Sequence, residues 1–496
     1  MAAPSSTSDG TSDKLISEIV PDQVLPKVLG TFDLVSVYVF IIFFISGSSI
    51  IAGGGWASIS MWLAGFVLFL APAAAAVAEL GGMWPAQGGV YIWSYHTMSE
   101  QLAFLGGFLS WIPVILAGTL TPAAAVAFFS YAFGFQPGLT ANIVLQLVLL
   151  WACVAFAMRK LTLTQSIARG VFIFYGVLVT AVFVAGIIVA ARNGGSAVPF
   201  SASESLSFNF GKYGWVFGVV LLYLVGVETP YNMGAEFLKA RSATKMVLWG
   251  SIILAVGYVF GTAGILLSTP ADELDAVTGV PRVFDYLNVS GLGRIGAVGV
   301  ALVSLMAFTI YQSAYSRLVF VSGLERHLPR LFTHLNPRTR NPVTALLLQG
   351  VISSILVVVL YSQQSLTTIF LSIQGALTVL WLASGFFFLF PVIIARRKYA
   401  QRYATEDFWR IPGGVWAATV VGAVGIFGTT MGIYYTFTLP FSADIPKSTW
   451  MWNVGSITVG TLIAALVIYL AGRRSASKLS DDERLLHLAQ LELGQA

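Results

Sequence analysis

Apolar residues run along this chain in long blocks, without the alternation or the narrow helical stripe of a half-buried soluble element. Windows of about 20 nearly uncharged residues recur about twelve times, bounded by charges, Gly or Pro. That length crosses a ~30 Å hydrocarbon layer as a helix. The blocks fall at roughly 34–57, 60–82, 103–132, 140–158, 165–191, 213–238, 246–268, 293–324, 343–361, 367–395, 414–437 and 452–472. Between the second and third, MWPAQGGVYIWSYHTMSE (83–100) is amphipathic and too interrupted to span. Residues 281–290 are expected to form a short helix outside the bilayer. SDDERLLHLAQLEL (480–493) carries leucines at helical spacing behind an acidic first turn and reads as a surface helix.

Composition closes off other classes. The chain is 57% hydrophobic and 10% charged, against about 25% charged in a soluble domain. A soluble multidomain enzyme is excluded. The single cysteine, Cys153, allows no internal disulfide and no thiolate cluster, and the four histidines are scattered without ligand spacing. No metal and no cofactor is expected. GLGRIG (291–296) matches a dinucleotide-binding string, but no strand precedes it and position 316 is a serine, so it is the mouth of a span. NVS (288–290) matches a glycosylation sequon and carries no weight alone.

The net charge of +5 reflects topology. With twelve spans and the N-terminus inside, the far side receives Arg192, Lys212, Arg282, Arg294 and Lys447, and the remaining Lys and Arg of the 27 fall on the N-terminal side. Both termini are therefore expected in the cytoplasm, and nucleic acid is not an expected partner. The first 32 residues are polar with no apolar core, so the first span itself directs insertion. Of the 22 acidic residues, only Glu79 and Glu228 fall away from tails, loops and helix ends. A mid-membrane carboxylate is costly, and such residues usually serve substrate, ions or protons.

Two spans are interrupted. The first holds FFISGSSIIAGGG (43–55), where Ser46, Gly47, Ser48 and Ser49 put small or hydroxyl residues in the middle of an apolar run. Such a break exposes backbone N–H groups that hold an anionic group. The same residues equally suit close helix packing. The sixth span holds LLYLVGVETPYNMGAEFLKA (221–240), with Gly226, Glu228 and Pro230 within five positions. A break near Val227–Thr229 is expected. Freed carbonyls there suit an ammonium, and Glu228 suits a proton; a kinked helix whose Glu caps a neighbour is the plainer alternative. Interrupted spans at corresponding places in two sets of five point to an all-α polytopic membrane protein of about twelve helices. Its plan is a five-plus-five inverted repeat with broken first and sixth helices and two extra helices. The expected divisions are a tail (1–32), repeats at 33–192 and 193–395, the extra pair at 396–472, and a tail at 473–496.

These residues carry a resemblance to the amino acid–polyamine–organocation transporter superfamily over roughly residues 30–472. Gly47-Ser48-Ser49 resembles its first-span G-S-G, and AELGGMWPAQGGVYIW (78–93) resembles the end of its second span. GVE (226–228) resembles the sixth-span break of the arginine/agmatine antiporter group. SRLVFVSGLERHLP (316–329) and WRIPGG (409–414) resemble its post-eighth-span and pre-eleventh-span segments. The resemblance implies an alternating-access transporter in the cell membrane for amino acids, working by exchange or with protons; with no acidic cluster to select a cation and no buried Arg or Lys to select a dicarboxylate, neutral amino acids are slightly favoured. An amine or polyamine carrier is the alternative. A membrane-embedded enzyme lacks a catalytic set, and a channel lacks rings of charge or a carbonyl filter. The implied substrate contacts are Ser46–Ser49 for the carboxylate, Leu224, Val225, Gly226 and Val227 for the ammonium, Tyr223 as the aromatic nearest the gating position, and Tyr311 over the side chain. Glu228 is the proton-coupling candidate. Trp111, Ser372 and Gln374 are weaker candidates at midplane depth. Three departures stand out: Ser49 replaces the third glycine, Leu222 replaces a gating aromatic, and 170–190 lacks the lysine of some proton-coupled relatives. The implied partners are a small amino acid or amine, protons and the lipid bilayer, for a monomer or homodimer.

Overall fold

The computed structural model describes residues 14–239, 241–361 and 366–476. The surface helix expected at 480–493 lies outside them. The described residues form no strand beyond one isolated parallel bridge between Leu29 and Phe237. In hydrocarbon every backbone N–H and C=O must bond within its own segment, so apolar blocks of this length become helices.

Ten helices are long and apolar enough to cross a membrane. They are span 2 (Ala57–Met83), span 3 (Glu100–Phe133), span 4 (Leu139–Ala157), span 5 (Leu161–Arg192), span 7 (Arg241–Ser268), span 8 (Leu292–Leu324), span 9 (Val343–Tyr361), span 10 (Leu366–Lys398), span 11 (Gly414–Thr438) and span 12 (Lys447–Ala476). The two remaining blocks are the two expected to be interrupted. Span 1 is Thr31–Ile42 followed by Gly47–Ala52, and span 6 is Phe210–Leu222 followed by a 3₁₀ segment, Thr229–Glu236. Span 2 carries a π-helical turn at Phe66–Leu70. The interrupted stretch after it forms a short buried helix, Gly89–Thr97. The expected short helix around 281–290 becomes two single turns, Gly279–Arg282 and Asp285–Leu287.

Both breaks sit earlier than their residues suggest. The first opens at Phe43, so Gly47, Ser48 and Ser49 start the second half-helix and lie past the break. Two tyrosines from spans 5 and 7 hold it open. Tyr258 donates to the Ile42 carbonyl (2.6 Å) and accepts from Phe44 N–H (3.0 Å). Tyr175 donates to the Phe43 carbonyl (2.9 Å) and accepts from Ile45 N–H (2.9 Å). The second break opens at Tyr223, five residues ahead of Glu228. Pro230 sits in the first turn of the segment that follows, where its missing N–H costs nothing. The turn between them depends on Gly226, whose φ of 102° is left-handed. A Cβ there would also stand 2.5 Å from the Trp381 ring.

Candidate functional site

The two breaks face one another across a cavity of about 70 Å³. Phe44 and Ser46 reach it from the first break; Leu222, Tyr223 and Val225 reach it from the second. Span 3 contributes Ala117, Leu120, Thr121 and Ala124, span 8 contributes Ser304 and Tyr311, and span 10 contributes Phe370, Gln374, Leu377 and Trp381. Among the described residues no charged side chain lines it.

Aromatic rings floor the cavity on the side of the N-terminus. Tyr311 meets Trp381 edge-on (5.5 Å between centroids, 79°), Tyr315 (4.9 Å, 63°) and Phe44 (6.5 Å, 85°). Beneath the rings lies Glu228, whose Oε1 accepts from Trp381 Nε1 (3.0 Å) and Ser110 Oγ (3.2 Å). Its neighbour Thr229 shares a hydrogen bond with the Tyr315 hydroxyl (2.7 Å). Glu228 is 1% exposed, does not itself line the cavity, and is bonded to Trp381, which does.

The backbone of the breaks supplies both polarities. Gly47, Ser48 and Ser49 already donate their N–H groups to the carbonyls of Phe44, Ile45 and Ser46. Ser46 N–H has no partner among the described residues. In the second break, Leu224 and Val225 donate back to the Leu221 carbonyl and Thr229 donates to that of Gly226. The carbonyls of Tyr223, Leu224 and Val225 accept nothing among the described residues. Gln374 donates through Nε2 to the Tyr223 hydroxyl (3.3 Å), and its Oε1 is buried without a partner.

The candidates read from the sequence therefore separate. Ser46, Tyr223, Val225, Tyr311 and Gln374 line one cavity. Gly47 packs beneath the Tyr223 ring, where a Cβ would come within 2.5 Å. Ser48 turns toward Gly261 of span 7, and Ser49 Oγ accepts from Val280 N–H (3.1 Å), tying the outer turn to span 1. Leu224, Gly226 and Val227 belong to the turn itself, buried behind the lining. Trp111 is directed at the Gln349 amide on span 9 (3.2 Å). Ser372 accepts from Asn453 of span 12 (3.2 Å). Trp381, Phe44, Thr121, Ser304 and Phe370 line the cavity and went unnoticed in the sequence, since within an apolar block a cavity-facing Trp or Phe looks like a lipid-facing one.

Glu79, the other carboxylate singled out, has no place at this cavity. Arg396 pairs with it through two nitrogens (2.6 and 2.5 Å), Tyr403 donates to it (2.8 Å), and so does Ile411 N–H (2.7 Å). Four donors satisfy it fully, and its role is to join spans 2 and 10.

Comparison with known proteins adds four findings. The amino acid permease family profile matches residues 29–471. An uncharacterised transporter of Legionella pneumophila is 23% identical over 92% of this chain and 99% of its own. A probable agmatine/putrescine antiporter of Lactococcus lactis is 21% identical over 74% of this chain and 79% of its own. Among solved structures, MhsT in complex with L-phenylalanine superposes with a TM-score of 0.53 at 13% identity. It covers 89% of this chain and 98% of that one, a likeness of fold alone.

Proposed function

The chain belongs to the amino acid permease family, and from that premise we propose that it carries small neutral amino acids across the cell membrane by alternating access. Its family and its relatives are transporters and not enzymes. The observation that carries the substrate reading is the cavity between the two helix breaks, which offers backbone donors and acceptors but no charged side chain. A substrate there has to bring charges that balance within itself. A zwitterion does, with its carboxylate on Ser46 N–H and its ammonium on the carbonyls of Tyr223 and Val225. Half-helix ends and unwound carbonyls suit those two groups.

The amine reading draws support from the agmatine/putrescine relative. A dication lacks a carboxylate, however, and in this cavity it would meet no acidic side chain to offset its desolvation. Size does not separate the two readings, since alanine and putrescine are equally small. At about 10–15 Å³ per water-sized probe, about 70 Å³ holds on the order of six heavy atoms, the scale of alanine.

In this reading Tyr311 covers the substrate side chain. Glu228 links the cavity floor to the sixth-span break through Trp381 and couples a proton to movement of one set of spans against the other. The test is counterflow in liposomes against a panel of amino acids and their decarboxylated partners. Exchange of alanine-sized neutral amino acids is expected. Exchange restricted to agmatine, putrescine or other amines would overturn the reading.

A further inference from the structure

Among the described residues, none of span 9 lines the central cavity. One of its side chains stands just behind the cavity floor. Gln349 is fully buried where span 9 meets spans 3 and 8. With its amide turned so that donors meet acceptors, the nitrogen donates to Gln312 Oε1 (2.6 Å) and to the Gln312 carbonyl (3.2 Å). The amide oxygen accepts from Trp111 Nε1 (3.2 Å) and from Ser316 N–H (3.1 Å). Gln312 Nε2 is buried without a partner among the described residues, so the bond from Gln349 is what fixes that side chain.

These partners are neighbours of the residues that build the floor. The Gln312 carbonyl and the Ser316 N–H are two positions that an α-helical ladder joins. A side chain set against both ends of one ladder bond holds the helix at that turn, one of the few places from which a helix can bend. Tyr311 and Tyr315 each precede one of these two residues and share the adjacent face of span 8. Tyr311 lines the cavity, and the Tyr315 hydroxyl shares a hydrogen bond with Thr229 (2.7 Å). Span 3 repeats the pattern: Trp111 reaches Gln349, and Ser110 just before it donates to Glu228 Oε1 (3.2 Å). In both spans one residue faces the floor and the next is held by the same amide.

We propose that Gln349 is a positioning residue of the substrate site. It touches no substrate. By fixing span 3 against span 8 it sets where Tyr311 stands over the cavity and where Ser110 meets Glu228. This rests on the neutral amino acid reading above and extends its site to a span that does not line it. A methionine at position 349 keeps a similar volume but offers no amide, which leaves Trp111 Nε1 and Gln312 Oε1 without the partner they have now. The turn of span 8 that carries Tyr311 then loses its anchor.

The experiment is equilibrium binding of L-alanine to the purified full-length protein in nanodiscs, read by calorimetry over a double-mutant cycle. Gln349→Met should weaken binding about tenfold, the scale on which residues of one network couple. In a Tyr311→Ala background the same change should alter affinity by less than about twofold, because the ring it positions is gone. Gln349→Glu, as the neutral acid, places an O–H donor and a carbonyl oxygen where the amide had its own groups. At low pH it should bind within about twofold of the wild type at the same pH. Ser353→Ala is the control, since Ser353, one turn along span 9, donates to the Ile115 carbonyl of span 3 (3.1 Å) and has no printed bond to span 8. It should leave affinity within about twofold. If Gln349→Met does not survive purification, Trp111→Phe removes one bond to the amide and should weaken binding about threefold, again only where Tyr311 is present. Wild-type affinity in Gln349→Met, or losses from Gln349→Met and Tyr311→Ala that simply add, would overturn the positioning role and leave the central reading standing. A loss in Ser353→Ala as large as that in Gln349→Met would also overturn it, because packing between spans would then be the cause. Absence of alanine binding by the wild type would overturn the neutral amino acid reading and the positioning role with it.

Discussion

Tyr311 touches Trp381, Tyr315 and Phe44 edge-on and presents itself to the central cavity. Its ring belongs to the floor of a site and not to a lipid-facing surface. Tyr311→Ala is expected to weaken substrate affinity about tenfold, the worth of an aromatic contact in a dry site, with monodispersity kept. Binding to the purified protein checks it. Glu228 accepts from Trp381 and Ser110, so both of its known partners are donors. Glu228→Gln preserves an acceptor oxygen for them while removing the titration. Substrate binding should survive and the pH dependence of liposome transport should flatten; an unchanged pH profile would make Glu228 a structural cap. Sequence made some of these residues visible and hid others. Tyr223, Tyr311 and Gln374 are polar or half-polar groups in apolar runs and announce themselves. Trp381 in LTVLWLASG does not, because nothing in its neighbours says which face of span 10 looks inward. Glu79 misleads for the opposite reason: its partner Arg396 lies 317 residues further on, beyond the reach of any local spacing.

At the scale of elements, the two breaks are made by different means. The sixth-span break is written into its own residues, since Gly226 takes a left-handed φ and Pro230 starts the next segment. The composition around it located the interruption to within a turn. The first-span break is written elsewhere. Its four small residues are mostly on the far side of it, and the backbone groups it frees at Ile42–Ile45 are taken up by Tyr175 and Tyr258. Those tyrosines lie in spans 5 and 7, so the local sequence of span 1 places the boundary a few residues too late. Each hydroxyl satisfies one N–H and one carbonyl in a buried setting, where an unpaired group costs about 1–3 kcal/mol. The double variant Tyr175→Phe/Tyr258→Phe should therefore lose about 2–4 kcal/mol of stability. A clear drop in the thermal midpoint in detergent is expected; an unchanged midpoint would mean that the break holds without them.

Across the whole molecule, the end nearest the N-terminus is fastened by ion pairs between spans distant in sequence. Glu79–Arg396 joins spans 2 and 10, Glu236–Arg317 joins spans 6 and 8, and Asp33–Arg169 joins spans 1 and 5. Two of the three are buried, and removing one partner from such a pair is costly because the other charge is left unpaired. Beside them the helix Ile16–Val24 is tied down through Ser17 N–H to Glu325 (2.8 Å) and Glu18 to His96 (3.1 Å). The Lys/Arg asymmetry of the sequence anticipated where cations gather but not that several of them lock helices together. His327 lies at the same end, bonded to the Tyr91 hydroxyl (3.0 Å) and packed against Phe104 and Tyr469. Burial lowers it from its ordinary value to about 4. The unfolded chain then takes its proton first, so stability should fall as pH drops from about 6.5 toward 4 and level off below, by on the order of 3 kcal/mol. Thermal midpoints against pH check this, and His327→Phe should flatten the curve. The uncharged lining of the central cavity remains the feature on which the functional account turns. Gln374→Glu changes that one property at nearly constant shape, placing a carboxylate beside the Tyr223 hydroxyl. The measurement is the ratio of alanine to agmatine counterflow in liposomes, wild type against Gln374→Glu. The account predicts a wild-type protein that exchanges alanine and excludes agmatine, with the ratio moving at least about tenfold toward agmatine in the variant. Wild-type exchange of agmatine as fast as alanine, or a ratio unmoved by the new charge, would contradict it.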